Sequence, residues 1–199
     1  NGSFHPYLCD MRDEAQILNM FASIEKEFGR LDVLINSAGL GHLASLLDGS
    51  TEHWRDMLEI NVLALCICTR EAVRIMRAGD DRGHVIHLSS MSGHRDPGGS
   101  NMYAATKFAV KSLTESLRME LRQAKSNVHV TSISPGLVRT EFAQKYHRDY
   151  NKAQDLYNSL EVLEPEDISE ILKFLLSQKN RILFHDILEN YLKDKEAAD

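Results

Sequence analysis

Two hydrophobic patterns alternate along the chain. Short apolar runs have the length of buried strands, and they lie at residues 31–35, 85–88 and 128–133. Between these runs apolar residues recur every three or four positions, which predicts helices over residues 12–28, 51–77 and 100–122. Pro165 has the place that proline prefers at a helix start, so a further helix is predicted over residues 166–177. Strands that alternate with helices predict an α/β fold with a doubly wound parallel sheet.

Three other segments complete the predicted fold, which we interpret as a single domain over residues 1–199. Residues 5–9 resemble the end of a strand closed by Asp10, and residues 181–188 are a candidate for the last strand. The tail that follows is charged, and we expect it to be frayed. Residues 141–162 are polar, helical in pattern and rich in tyrosine, so we predict that they form the substrate lid.

Composition and charge argue against several classes of protein. The net charge of −6 and the absence of a basic block argue against a nucleic-acid surface. Three cysteines form neither a disulfide framework nor a spaced zinc site, and His84 and His87 fall on opposite faces of their strand. The longest apolar run, at residues 62–68, is too short to cross a bilayer. We therefore predict a cytoplasmic protein without a metal, a nucleic-acid partner or a membrane span.

Candidate catalytic residues surround the strand at 85–88. Ser90 follows this strand, a loop rich in glycine and proline comes next, and the following helix carries Tyr103 and Lys107 on one face. These side chains can meet at the carboxyl edge of the sheet, where open α/β sheets bind ligands.

The chemistry of this trio is acid–base catalysis. We predict that the Lys107 ammonium lowers the pKa of the Tyr103 phenol, while Ser90 hydrogen-bonds a carbonyl or alcohol oxygen. Proton transfer to that oxygen needs a hydride partner, which implies a nicotinamide cofactor. The alternative is a chance pairing, since Tyr191 and Lys195 have the same spacing. That second pair lacks a preceding strand and serine loop, so we set it aside.

Several spaced motifs resemble the short-chain dehydrogenase/reductase family. They are Asn36-Ser37-Ala38-Gly39, Asn61-Val62, the Ser90, Tyr103 and Lys107 set, and Pro135-Gly136-Leu137-Val138-Arg139-Thr140. The stretches VLALCICTREA and SMSGHR are similar to the member 11 branch of the family and its insect farnesol-dehydrogenase relatives.

The resemblance implies a function and a set of site residues. It implies NADP(H)-dependent interconversion of lipophilic alcohols and ketones, with NAD as the alternative cofactor, by a homodimer or homotetramer. Its catalytic tetrad would be Asn61, Ser90, Tyr103 and Lys107. Its cofactor-binding residues would be Asp10, Met11, Asn36, Ala38, Gly39, Tyr103, Lys107, Pro135, Gly136, Val138 and Thr140.

Three of these assignments have simpler alternatives. Asp10 would bind the adenine, or it caps the first helix with Asp13 in the first turn. Asn61 would hold a water that relays protons to Lys107, or it lies on the solvent face of its helix. The Pro135-Gly136 motif would meet the nicotinamide, or it is a plain turn.

One family motif is absent from the sequence. The T-G-x-x-x-G-x-G phosphate loop does not occur, and the G-x-G-x-x-A match at residues 39–44 is not followed at once by a helix. We expect that the natural polypeptide carries one further βαβα unit of roughly 50–60 residues, without which strand 31–35 is an apolar sheet edge. Two functions follow: an oxidoreductase, or a catalytically inactive fragment that serves as a dimer partner or regulator.

Overall fold

A single parallel sheet organises the structure, a computed structural model that describes residues 2–96 and 98–189. Its four described strands lie side by side in the order in which they occur along the chain. The strands are β1 (Val33–Asn36), β2 (Arg82–Leu88), β3 (Asn127–Pro135) and β4 (Asp186–Glu189). All three pairings are parallel, so the carboxyl ends of the strands meet at one edge, next to the serine loop.

The connections between strands are helical. The helices are α1 (Glu14–Phe28), α2 (Thr51–Leu58), α3 (Leu65–Ala78), α4 (Asn101–Gln123), α5 (Phe142–His147), α6 (Tyr150–Ser159) and α7 (Pro165–Leu176). A π-helical segment, Glu59–Ala64, joins α2 to α3, and a 3-10 turn, Met91–Gly93, follows β2. Proline begins α7 as the sequence predicts. Asp13, and not Asp10, caps α1 by accepting hydrogen bonds from the backbone of Ala15 and Gln16.

Helices cover both faces of the sheet, which confirms the doubly wound, Rossmann-like fold. Alternate residues of each strand point to opposite faces. Val85 and Val130 pack with α1, α3 and α4 in one core cluster. Ile86 and Ile133 belong to a second cluster, which includes Leu175 of α7.

The predicted terminal strands differ from the structure. Residues 5–9 form no strand, because within the described part of the chain they have no neighbouring strand to pair with. At the other end, residues 181–185 are irregular and β4 begins only at Asp186. The pair Tyr191 and Lys195 and the charged tail lie outside the described residues. β1 is an edge of the described sheet, where Ile35 is 38% exposed.

Neither a membrane-spanning helix nor a metal site occurs in the described ranges. In residues 2–96 and 98–189, no helix has both the length and the apolar character of a membrane span. The same part of the chain has no group of three histidine, cysteine or acidic side chains placed to hold a metal ion. The three cysteines are free thiols, and burial raises the pKa of Cys68 to about 11, so this thiol is a packing residue.

Candidate active site

The end of β2 fixes the position of Ser90. The Ser89 amide donates to the Ile133 carbonyl across 2.8 Å, which keeps the strand end on β3. Ser90 then caps the 3-10 turn, and its Oγ accepts a hydrogen bond of 3.1 Å from the Ser92 amide. The turn packs tightly on α4, because a Cβ on Gly93 would lie 2.8 Å from the Lys107 carbonyl oxygen.

Tyr103 and Lys107 lie one turn apart at the start of α4, as their spacing predicts. The Lys107 Nζ lies 5.7 Å from the centre of the Tyr103 ring. The same Nζ donates a hydrogen bond of 2.9 Å to the Leu88 carbonyl, two residues before Ser90. Lys107 is only 7% exposed. The two side chains and the end of β2 therefore meet at the carboxyl edge of the sheet.

Burial determines the acidity of both groups. It raises the pKa of Tyr103 to about 12, although a hydrogen bond with Ser90 offsets part of the rise. It lowers the pKa of Lys107 to about 8. The prediction that the ammonium lowers the pKa of the phenol is therefore wrong for this structure, since desolvation disfavours both charged forms. At neutral pH Tyr103 carries its proton.

Asn61 belongs to the same site, and the alternative of a solvent-facing asparagine is wrong. The π-helical segment turns this residue inward, and it is 2% exposed. Its Oδ1 accepts from the Leu40 amide at 2.9 Å, and its Nδ2 donates to the Leu40 carbonyl at 2.8 Å. A Cβ on Gly39 would lie 3.5 Å from the Asn61 Oδ1 and 3.7 Å from the Lys107 Nζ. Gly39 thus leaves open space between the two side chains.

Asn36 is held by a chain of hydrogen bonds that crosses the core. Its Nδ2 donates to the Thr69 Oγ1 at 2.9 Å. Thr69 in turn hydrogen-bonds the His87 Nε2 at 3.1 Å, and the His87 Nδ1 hydrogen-bonds the Thr114 Oγ1 at 2.8 Å. The Thr114 hydroxyl donates to the Val110 carbonyl at 2.7 Å. Burial lowers the pKa of His87 to about 4, so its ring is neutral.

The loop from Asn36 to the next helix has no phosphate-binding geometry. Ala38 and Gly39 follow β1 in an irregular segment, and α2 begins only at Thr51. The G-x-G-x-x-A match at residues 39–44 therefore lacks the helix N-terminus that such a motif uses to hold a pyrophosphate.

The Pro135-Gly136 motif is held from two sides. Val138 forms a bridge with Leu163, and the Leu163 amide donates to the Leu137 carbonyl at 3.0 Å. The Tyr157 hydroxyl donates to the Thr140 carbonyl at 2.8 Å. Tyr157 is 1% exposed, and sequence reasoning gave it no role beyond the predicted lid. Ala153, Leu156 and Tyr157 follow the i, i+3, i+4 spacing of a buried helix face, which is the signal that could have identified this anchor.

Asp10 and Met11 lie apart from these residues. The Asp10 carboxylate is paired with Arg12 at 2.8 Å, and hydrogen bonds from Arg12 lower its pKa to about 2. Met11 packs against the first core cluster. Within residues 2–96 and 98–189, no hydrogen bond joins either residue to the tetrad. The adenine role of Asp10 stays a prediction.

Two aromatic residues of α5 contact the site, and the sequence did not identify them as a pair. The ring centres of Phe142 and Tyr146 lie 5.3 and 6.3 Å from that of Tyr103. Both rings also press on Gly41, where an added Cβ would lie 2.7 Å from Tyr146 and 2.9 Å from Phe142. Residues from distant parts of the chain thus form an apolar wall beside the phenol.

Comparison with known proteins identifies the family. The sequence profile described as short chain dehydrogenase matches residues 1–151. The chain belongs to the short-chain dehydrogenase family. It is therefore a member of a family of oxidoreductases that act on alcohols.

Named relatives include vertebrate and insect proteins. Human "Dehydrogenase/reductase SDR family member 11" is 46% identical over 190 residues, which are 94% of this chain and 73% of that protein. "Farnesol dehydrogenase" of Aedes aegypti is 38% identical over 186 residues, or 92% of this short-chain dehydrogenase and 73% of the relative.

A solved structure has the same fold. The closed form of serine dehydrogenase complexed with NADP+ is 32% identical, with a TM-score of 0.85. The match covers 90% of this chain and 73% of that one. The expected family and Rossmann-like fold are confirmed by these likenesses.

Proposed function

We propose that this short-chain dehydrogenase is an NADP(H)-dependent enzyme that interconverts a lipophilic alcohol with its ketone or aldehyde. The observation that carries the proposal is the meeting of Ser90, Tyr103 and Lys107 beside Asn61 and Gly39. The farnesol dehydrogenase relative and the apolar wall of Phe142 and Tyr146 support a steroid-like or isoprenoid-like substrate.

The site fits a nicotinamide nucleotide. Gly39 lacks the Cβ that would fill the space next to Asn61 and Lys107, so a planar group can lie against the backbone there. When bound, the nicotinamide supplies or accepts the hydride. The residues that would hold the cofactor are Asn36, Ala38, Gly39, Tyr103, Lys107, Pro135, Gly136, Val138 and Thr140, with Asp10 and Met11 at the adenine end. NADP is proposed because the serine dehydrogenase neighbour was solved with it.

Each tetrad residue has a distinct task. Tyr103 is protonated at neutral pH, so it can donate a proton to the substrate oxygen during reduction and is left as the phenolate. Oxidation is the reverse step, in which the phenolate accepts the proton of the alcohol. Ser90 hydrogen-bonds that oxygen as charge develops on it. The Lys107 ammonium, 5.7 Å from the ring centre, offsets part of the cost that burial imposes on the phenolate left on Tyr103, although the net pKa stays raised. Asn61, whose side chain is fixed by the Leu40 backbone and Thr106, would hold the water that relays a proton to Lys107.

The alternative function, an inactive partner or regulator, does not explain why the Lys107 ammonium is buried. An ammonium that is 7% exposed costs free energy, and one hydrogen bond to the Leu88 carbonyl does not offset the loss of its hydration. Perturbed groups that meet in one place are typical of catalytic sites.

The substitution Tyr103→Phe tests the mechanism. We expect turnover of isoprenoid and steroid substrates to fall by at least about a hundredfold, because the proton donor is removed while the ring stays. The dissociation constant for NADPH, followed by quenching of Trp54 fluorescence, should stay within about twofold. Tyr7→Phe is the control, since Tyr7 hydrogen-bonds Glu27 far along the chain from the tetrad. Unchanged turnover in Tyr103→Phe would disprove the mechanism.

Three further assignments belong to this proposal. Residues 141–162 act as the substrate lid, which is supported by the contacts of α5 with Tyr103 and Gly41. The enzyme forms a homodimer through α3 and α4, which flank an open, mainly apolar groove of about 570 Å³ lined by Leu65, Val73 and Leu113. It works in the cytoplasm, where its three free thiols stay reduced.

A further inference from the structure

His94 joins the serine loop to three other elements. Its Nε2 lies 2.9 Å from the Ser134 Oγ at the end of β3. The same nitrogen lies 3.3 Å from the Asp186 carboxylate at the start of β4. Its Nδ1 lies 3.0 Å from the Nζ of Lys111, one helical turn after Lys107 on α4. The imidazole side chain is 15% exposed and the Asp186 side chain 25% exposed, whereas Lys111 lies at the surface.

The partners fix the positions of the hydrogens. An ammonium can only donate, so the His94 Nδ1 must accept from Lys111 and the single ring hydrogen lies on Nε2. That N–H points to the Ser134 oxygen and the Asp186 carboxylate. The Ser134 hydroxyl then donates to the other Asp186 oxygen at 3.2 Å. Every polar atom of the cluster has a partner, so the arrangement favours one ring orientation.

His94 is the last fixed point before a stretch of exposed chain. The turn from Ser90 to Gly93 is held at its start by β2 and at its end by the close contact between Gly93 and Lys107. After His94 the chain runs through exposed Arg95 and Asp96 to two glycines, Gly98 and Gly99, with left-handed backbone. His94 therefore adds a second anchor at the end of this turn, beside the Gly93 contact, through its bonds to Ser134 and Lys111.

We propose that His94 is a positioning residue that holds the Ser90 hydroxyl in register with Tyr103. The proposal rests on the proposed function, because it assigns a purpose to Ser90 in proton transfer. His94 acts through the three-residue turn and does not touch the reacting atoms.

A double-mutant cycle with Ser90 tests the proposal in the protein expressed from its natural reading frame. We expect His94→Ala to lower kcat about ten- to a hundredfold while the Kd for NADPH changes by less than about twofold, since misplacement by about 1 Å has effects of this size. In the Ser90→Ala background, followed by single-turnover kinetics, His94→Ala should have no further effect on the rate, because the hydroxyl that His94 positions is absent. His94→Gln keeps a side-chain N–H and should recover part of the rate.

A second variant and a matched control complete the test. Asp186→Asn keeps the side-chain size and weakens the bond to His94, so it should lower kcat in the same Ser90-dependent manner even if His94→Ala does not fold. His5→Ala removes another histidine that is paired with a carboxylate, Glu27 at 2.8 Å, and should leave kcat unchanged.

The outcomes separate this proposal from the proposed function. A normal kcat in His94→Ala, a loss that persists without Ser90, or a loss confined to NADPH binding would overturn the role of His94 alone. Full turnover in Tyr103→Phe, or none in the unmodified protein, would overturn the proposed function and this proposal together.

Discussion

Burial of the Lys107 ammonium lowers the stability of the fold at the residue that the proposed reaction needs. Its ammonium is almost fully buried, and desolvation moves its pKa to about 8. A folded-state pKa below the ordinary value means that the charged form is destabilised by folding. The fold tolerates this penalty where the substrate oxygen, the phenol and the cofactor would meet.

The acidity of Lys107 predicts the pH dependence of ketone reduction. As pH rises through about 8, Lys107 loses its charge, while Tyr103 keeps its proton up to about pH 12. We therefore expect kcat with NADPH to fall above about pH 8, which a pH–rate profile will show. Unfolding does not explain such a fall, because the contribution of Lys107 to the free energy of unfolding increases over the same interval, where the unfolded chain binds more protons.

Lys107→Arg provides the comparison for this profile. Arginine stays charged throughout, so whatever activity this variant retains should show no decline near pH 8. A wild-type profile that is flat to about pH 10 would contradict the assignment.

At the scale of elements, the contact between α5 and Gly41 controls the wall of the site. Gly41→Ala must displace Tyr146 and Phe142, since its Cβ would lie 2.7 and 2.9 Å from their rings. We expect KM for a lipophilic substrate to rise about three- to tenfold, with little change in NADPH affinity, because α5 moves away from Tyr103. Steady-state kinetics against Gly2→Ala, whose added Cβ would meet no atom within 4 Å, will measure the difference. An unchanged KM would remove α5 from the substrate site.

Sequence patterns predicted those elements whose stability is local or whose burial is periodic. The apolar runs gave three of the four strands, and the i, i+4 spacing placed Tyr103 and Lys107 together. The prediction of a strand at residues 5–9 was wrong, because a strand needs a neighbouring strand, which local composition does not reveal. The π-helical turn that buries Asn61 was also missed, since one extra residue per turn leaves no clear mark on apolar periodicity.

The sequence predicted those site residues whose place in a strand or helix already determines where they lie in the fold. Ser90 and Lys107 follow from a strand end and a helix face. The contacts of His94 with Ser134 and Asp186 join residues separated by 40 or more positions, and no pattern within one segment predicts them. The pKa of Tyr103 was predicted with the wrong sign, because the sequence shows a neighbouring charge but not the depth of burial.

At the scale of the whole molecule, the groove between α3 and α4 predicts self-association. Ser116 is exposed and lines this groove, so Ser116→Arg adds bulk and charge without disturbing the core. We expect the variant to be monomeric by analytical ultracentrifugation, while its melting temperature at low concentration stays within a few degrees. Ser169→Arg, at an exposed position of α7, is the matched control and should remain dimeric. A dimer in both variants would place the interface elsewhere.

The hydrogen-bond chain from Asn36 through Thr69 and His87 to Thr114 has one direction, because each member donates to the next and Thr114 donates to the Val110 carbonyl. Exchanging one member for a residue of opposite polarity would set two donors or two acceptors face to face in the interior. A substitution at one of these positions is therefore expected to need a compensating change at its neighbour, although Thr69 and His87 line the groove between α3 and α4 and not the tetrad.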